Sequence, residues 1–160
     1  MAITALTPTF QQSVDGSGAV RDFWIKVKGI IGDATGGLVI HTIENPYFQD
    51  LLIKRCILYV STASGNVATD LDIGLGDDTA GTSNGAEIVD GAVAATLNTT
   101  GFKDCGIVHA IATPPVIPIW KAHDNSTDAF ICIDQNGSVD ASALRATLLI
   151  NVVPVGDVTS

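Results

Sequence analysis

The chain has 160 residues, of which 46% are hydrophobic and only 16% charged, and its eight Lys and Arg against seventeen Asp and Glu give a formal net charge of −9. A chain of this length forms one domain that buries about two thirds of its unfolded surface, and charge well below the ~25% of an average soluble domain predicts that part of the surface is covered by other protein. The acidic balance and the absence of any run of basic residues argue against direct binding to nucleic acid or an anionic membrane, and no apolar run approaches the ~20 residues of a membrane helix.

Residues 1–20 are polar and rich in Gly, Ser and Thr, with Ile3, Leu6 and Phe10 as isolated apolar positions. That composition predicts an extended N-terminal arm carrying three anchors, followed by one domain over residues 21–160. The opening MAITALTPTF lacks a basic region followed by a long apolar run, so a secretory leader is not expected and the chain is expected to stay in the cytoplasm where it is made. From Asp22 the pattern has period two: Phe23, Ile25 and Val27 fall on one face, Trp24, Lys26 and Lys28 on the other, as in a half-buried strand. Further strands rich in Val, Ile, Leu and Thr are predicted at residues 37–44, 51–61, 68–74, 106–112, 116–121, 129–134 and 144–153. Turn pairs such as Gly36-Gly37, Asn45-Pro46, Asn84-Gly85 and Asn136-Gly137 separate them. About eight strands with no amphipathic helical stripe predict an all-β fold, a single jelly-roll-like β-sandwich. Short helical turns are expected near residues 46–50 and 87–95.

The densest polar stretch is DLDIGLGDDTAGTSNGAEIVDG, which carries Asp70, Asp72, Asp77, Asp78, Glu87 and Asp90 among glycines. Calcium needs several convergent oxygens, but this spacing departs from an EF-hand loop, and a solvated inter-strand loop is the plainer reading. Asp70 and Asp72, two apart on a strand, share a face as a glycosidase pair would, yet only two Trp and two Tyr are present to build a sugar groove. Gly74 and Gly76 lack the third glycine and the helix of a phosphate cradle. Cys56, Cys105 and Cys132 are widely spaced beside apolar stretches and His41, His109 and His123 are scattered, so buried thiols are expected and no metal, cofactor or catalytic constellation. Trp24 and Trp120 sit in alternating strands as core or interface aromatics. Pro114, Pro115 and Pro118 mark a strand entry or sheet edge, and the glycosylation triplets at Asn98 and Asn125 are read as turns.

DLDIGLGDDTAGTSNGAEIVDG, followed by a Trp strand and the ending ASALRATLLINVVPV, resembles a group of small virion proteins encoded near the capsid genes of tailed bacteriophages. In that group a VDIGV-type strand leads into a Gly/Asp/Thr/Ser-rich loop, an LIDG-like segment and a closing strand; here residues 70–75, 77–84, 87–91 and 144–153 look like them. GGLVIHTIENPYFQDLLIKRCILYVST looks like the two preceding strands, so the resemblance covers residues 36–155. It implies a capsid decoration protein on the virion surface: a compact sandwich, often trimeric, that docks on the major capsid protein and clamps neighbouring capsomers. The expected shell or subunit contacts are Ile3, Leu6, Phe10 and Trp24. The rival expectation is a lectin-like jelly roll on a fibre or tail, using Asp72, Asp77, Asp78 and Trp120 to hold a glycan or Ca²⁺.

Overall fold

A computed structural model describes residues 4–11, 22–36, 38–66, 68–76, 88–92, 97–105, 118–122, 128–136 and 139–155. Among them the chain is all-β, with no helix. In chain order the strands are β1 (Thr4–Ala5), β2 (Pro8–Gln11), β3 (Phe23–Ile31), β4 (Leu38–Glu44), β5 (Leu51–Thr62), β6 (Asp70–Gly76), β7 (Val89–Ala92), β8 (Gly101–Asp104), β9 (Ile119–Trp120), β10 (Phe130–Asn136) and β11 (Arg145–Pro154). They form two sheets. Sheet A has the order β1-β4-β10-β6-β7, and sheet B the order β2-β3-β11-β5-β8 with β9 also paired to β5. Only the short β1 runs parallel to its neighbour; the other pairings are antiparallel.

Alternation along the strands decides which side chains leave water. In β3, Phe23, Ile25 and Val27 are buried while Trp24, Lys26 and Lys28 are exposed, as the sequence pattern requires. Ile43, Ile73, Ile131 and Ile133 of sheet A join Ile25, Leu58, Leu148 and Ile150 of sheet B in one apolar cluster. Burial of each such side chain is worth about 1.5–3 kcal/mol before ordering costs. Strict alternation would turn Ile30 outward. Gly29 prevents this: it adopts φ 89°, and the pairing with β11 skips it, passing from Ile30 opposite Ala146 to Lys28 opposite Thr147. The one-residue bulge restores Ile30 to the core, and only glycine takes that φ without cost.

A second tie between the sheets is polar. His41, buried on β4, places Nε2 2.9 Å from the Ile31 amide nitrogen and 3.0 Å from its carbonyl oxygen, at the end of β3. Burial holds its pKa below the ordinary value. Gln135 pins the 33–35 turn: Oε1 accepts from the Asp33 N–H at 2.7 Å and Nε2 donates to the carbonyls of Asp33 and Val139 at 3.1 Å each.

Three expectations change. Residues 89–92, expected to turn helically, form β7, because Val89 and Ala92 pair with Ile73 and Leu71 and the Ile88 N–H donates to the Ile73 carbonyl. Residues 47–49 are bends rather than a helical turn. The arm is not separate from the body over residues 4–11: β1 lies on the edge of sheet A beside β4, and β2 lies on the edge of sheet B beside β3. β8 was not expected from GFKD, a segment too short to show a period. The strand expected at residues 106–112 lies outside the described residues.

Candidate functional site

The expected contacts scatter over the molecule. Ile3 lies outside the described residues. Leu6 packs against the core, and its N–H donates to the Thr42 carbonyl at 2.9 Å. Phe10 occupies the register position opposite Ile25 on β2. Leu6 thus fastens the chain to itself, whereas Trp24, 38% exposed, stands on the outer face of sheet B.

Of the expected ligand residues, Asp72 and Trp120 are among the described ones. Asp77, Asp78 and Glu87 lie outside the described residues. Trp120 is 0% exposed, and its Nε1–H donates to the Ala129 carbonyl at 2.9 Å, so its ring belongs to the core and has no face left to stack on a sugar. Asn45 holds the same corner: its Nδ2 donates to the carbonyls of Gln49, Trp120 and Lys121 at 3.2, 3.1 and 2.8 Å, and its Oδ1 accepts from the Tyr47 N–H at 2.9 Å. Beside it Lys121 Nζ donates to Asp50 at 2.9 Å, which holds the Asp50 carboxyl below the usual range.

Asp70 and Asp72 stand on β6, and Asp72 faces Asp134 across the pairing with β10. Burial first, and then the negative charges of Asp72 and Asp134, raise the Asp70 pKa. Among the described residues no group of three or more His, Cys, Asp or Glu is placed to hold a metal ion. The thiols are equally passive: burial pushes Cys56 and Cys105 up, away from the reactive thiolate, and Cys132 is buried.

Two surfaces stand out among the described residues. One is a cleft of about 310 Å³ between the arm and the β4–β5 bend, lined by Leu6, Pro8, Thr42, Glu44, Pro46 and Phe48. Phe48 at its rim is 83% exposed, the most exposed large apolar side chain among the described residues. The other is the outer face of sheet B. Pairing sets Lys28, Thr147, Tyr59 and Phe102 in one row and Lys26, Leu149, Ile57 and Asp104 in the next. Tyr59 is 38% and Phe102 70% exposed, with ring centroids 4.8 Å apart. Arg55 pairs with Asp104, and Lys54 with Asp22 at 2.8 Å, both in solvent.

Sequence reasoning overlooked Phe48, Tyr59 and Phe102. Tyr59 alternates with buried Leu58 and Val60 and was legible from parity; Phe102 needed its partner strand to be known. No helix among the described residues is long and apolar enough to cross a membrane. Comparison of the chain with family models, curated proteins and solved structures finds no match.

Proposed function

We propose that the chain is a jelly-roll sandwich with a structural, non-catalytic role in a virion, decorating the outer shell of a tailed-phage head as a homo-oligomer and stabilising it. The observation that carries the reading is strand order. Apart from the N-terminal β1 and β2 and the two-residue β9, eight strands remain among the described residues, and numbered along the chain they stand 1-8-3-6 in sheet B and 2-7-4-5 in sheet A. The neighbours 1-8, 2-7, 3-6 and 4-5 are those of one long hairpin wrapped on itself, which is how a jelly roll is built. This architecture recurs in viral capsid and lectin domains. Between those two roles, the buried Trp120 removes the aromatic platform a glycan site was expected to use.

The decoration role also accords with low charge and exposed Phe48 and Phe102. A protein that binds only the assembled shell stabilises it by mass action. The test is co-sedimentation of the full chain with undecorated heads, compared with a Phe48→Ser variant. Saturable binding, weakened about tenfold or more by loss of this anchor, is the expected outcome. Absence of binding by the wild type, together with binding on a glycan array, would move the reading to the lectin class.

A further inference from the structure

The outer face of sheet B is basic and open. One row across β3, β11, β5 and β8 reads Lys26, Leu149, Ile57, Asp104, and the next reads Lys28, Thr147, Tyr59, Phe102. None of the eight is buried. Each row begins on β3 with a cation and ends on β8 with a group that attracts cations, a carboxylate in one row and an aromatic ring in the other. The ammonium groups of Lys26 and Lys28 have no partner among the described residues, whereas Lys54, Arg55, Lys103, Lys121 and Arg145 each have one.

We propose that two copies of this chain pair face to face through sheet B, about a two-fold axis that runs along the strands between β11 and β5. Such an axis exchanges the ends of each row, so that one surface complements itself. Lys26 of one copy faces Asp104 of the other, Lys28 lies against the Phe102 ring as a cation on a π face, and Leu149 meets Ile57 between them. The second half of the contact repeats the first. Asp104 already pairs with Arg55, yet both side chains are more than half exposed, so Lys26 adds a second cation to that pair without breaking it. An apolar centre inside a charged rim is the usual anatomy of a protein interface.

Charge also selects the direction of the axis. A two-fold across the strands would lay β3 on β3 and β8 on β8, setting lysine against lysine and Asp104 against Asp104. With the axis along the strands, the lysines of the two copies stand at opposite edges, three strand spacings or ~14 Å apart, beyond the ~10 Å over which exposed charges act at 0.1 M salt. Four strands at ~4.8 Å and the length of β3 at ~3.3 Å per residue give a footprint of about 570 Å² on each copy. Two copies then bury about 1,100 Å², which clears the ~1,000 Å² a specific contact needs. A nucleic acid would meet Lys26 and Lys28 but also the acidic remainder of a chain with net charge −9.

The inference rests on the assembly reading above for its setting alone, and it is tested on the purified full chain without any shell. Sedimentation velocity at rising concentration compares the wild type with Phe102→Ser, Lys26→Asp and Asp104→Lys, each checked for native circular dichroism. All three positions are exposed, so the substitutions keep the fold. The wild type is expected to form a dimer and nothing larger, and Phe102→Ser, which removes two ring contacts per dimer, to weaken it about 100-fold. Lys26→Asp sets two carboxylates against each other at both ends of the contact, and Asp104→Lys sets two lysines; each alone is expected to weaken the dimer about tenfold. An equimolar mixture of these two variants restores opposite charges at both ends and is expected to dimerise as the wild type does. A wild type that stays monomeric, a dimer indifferent to all three changes, or a mixture no tighter than its components overturns the proposal. Capture of a single-stranded oligonucleotide by monomeric wild type through Lys26 and Lys28 overturns it as well. Head binding by a chain that does not pair through sheet B would sink only this inference, and pairing without head binding only the decoration role.

Discussion

At the scale of residues, a few buried polar groups hold the sheets and corners in place beside the apolar core. Asn45 satisfies three carbonyls and one amide around Trp120 and Lys121, so Asn45→Ala leaves buried acceptors without donors. Such a loss costs about 2–3 kcal/mol, read as a lower urea midpoint with an unchanged slope; an unchanged midpoint would show that water replaces the amide freely. His41 gives a pH dependence. Its folded pKa lies below the ordinary 6.5, so the unfolded chain binds a proton more readily than the folded one. Its contribution is complete above pH 6.5 and is lost as pH falls from there through the folded value, by at most about 1.4 kcal/mol per pH unit. Asp33 and Asp50 have depressed pKa values, and their contribution is lost in a separate window, only below 3.8. The thermal midpoint is therefore expected to drop between pH 7 and pH 5.5, and His41→Gln to flatten that slope; equal slopes in both proteins would remove His41 as the cause.

At the scale of elements, the N-terminal segment is a pair of edge strands, which changes what truncation means. Removal of residues 1–11 would strip β1 from β4 and β2 from β3, expose two strand edges and unpack Leu6. A lower melting temperature and a rise in light scattering on standing are expected; a truncated chain as stable and as soluble as the full one would show that the segment is dispensable to the fold. Shell binding lost on such a deletion would not by itself locate an anchor, and for that reason the point variant at Phe48 is the cleaner probe. Much of the strand set was legible beforehand: β3, β4, β5, β10 and β11 carry clear runs of apolar and β-branched residues. The arm was not, because its two strands draw their hydrogen bonds from β3 and β4 and show no period of their own. β7 was obscured for the same reason, with Gly91 and Asp90 opposing strand propensity locally until Ile73 and Leu71 supply the partner. The candidate surface was least legible, since Lys26, Arg55, Phe102 and Arg145 lie far apart in sequence and become neighbours only through register.

At the scale of the whole molecule, the apolar side chains outside the core are what the proposed contact with other protein rests on. Of the five large apolar side chains exposed among the described residues, Trp24, Tyr59 and Phe102 lie on the basic sheet face and Phe48 at the arm cleft. A monomeric existence would leave these surfaces in water. The order of sheet B also bears on how the molecule comes into being. β3, near the start of the chain, and β5 are both paired to β11, near its end. A nascent chain leaving the ribosome therefore holds two apolar strands with the slot between them empty until β11 emerges. Closure is a late event of high contact order, of the kind that proceeds in milliseconds to seconds and leaves the waiting strands open to wrong partners. The chain's exposure to misfolding is thus set by the time between translation of β3 and arrival of β11, and a lost C-terminal strand would leave the middle of the sheet unbuilt.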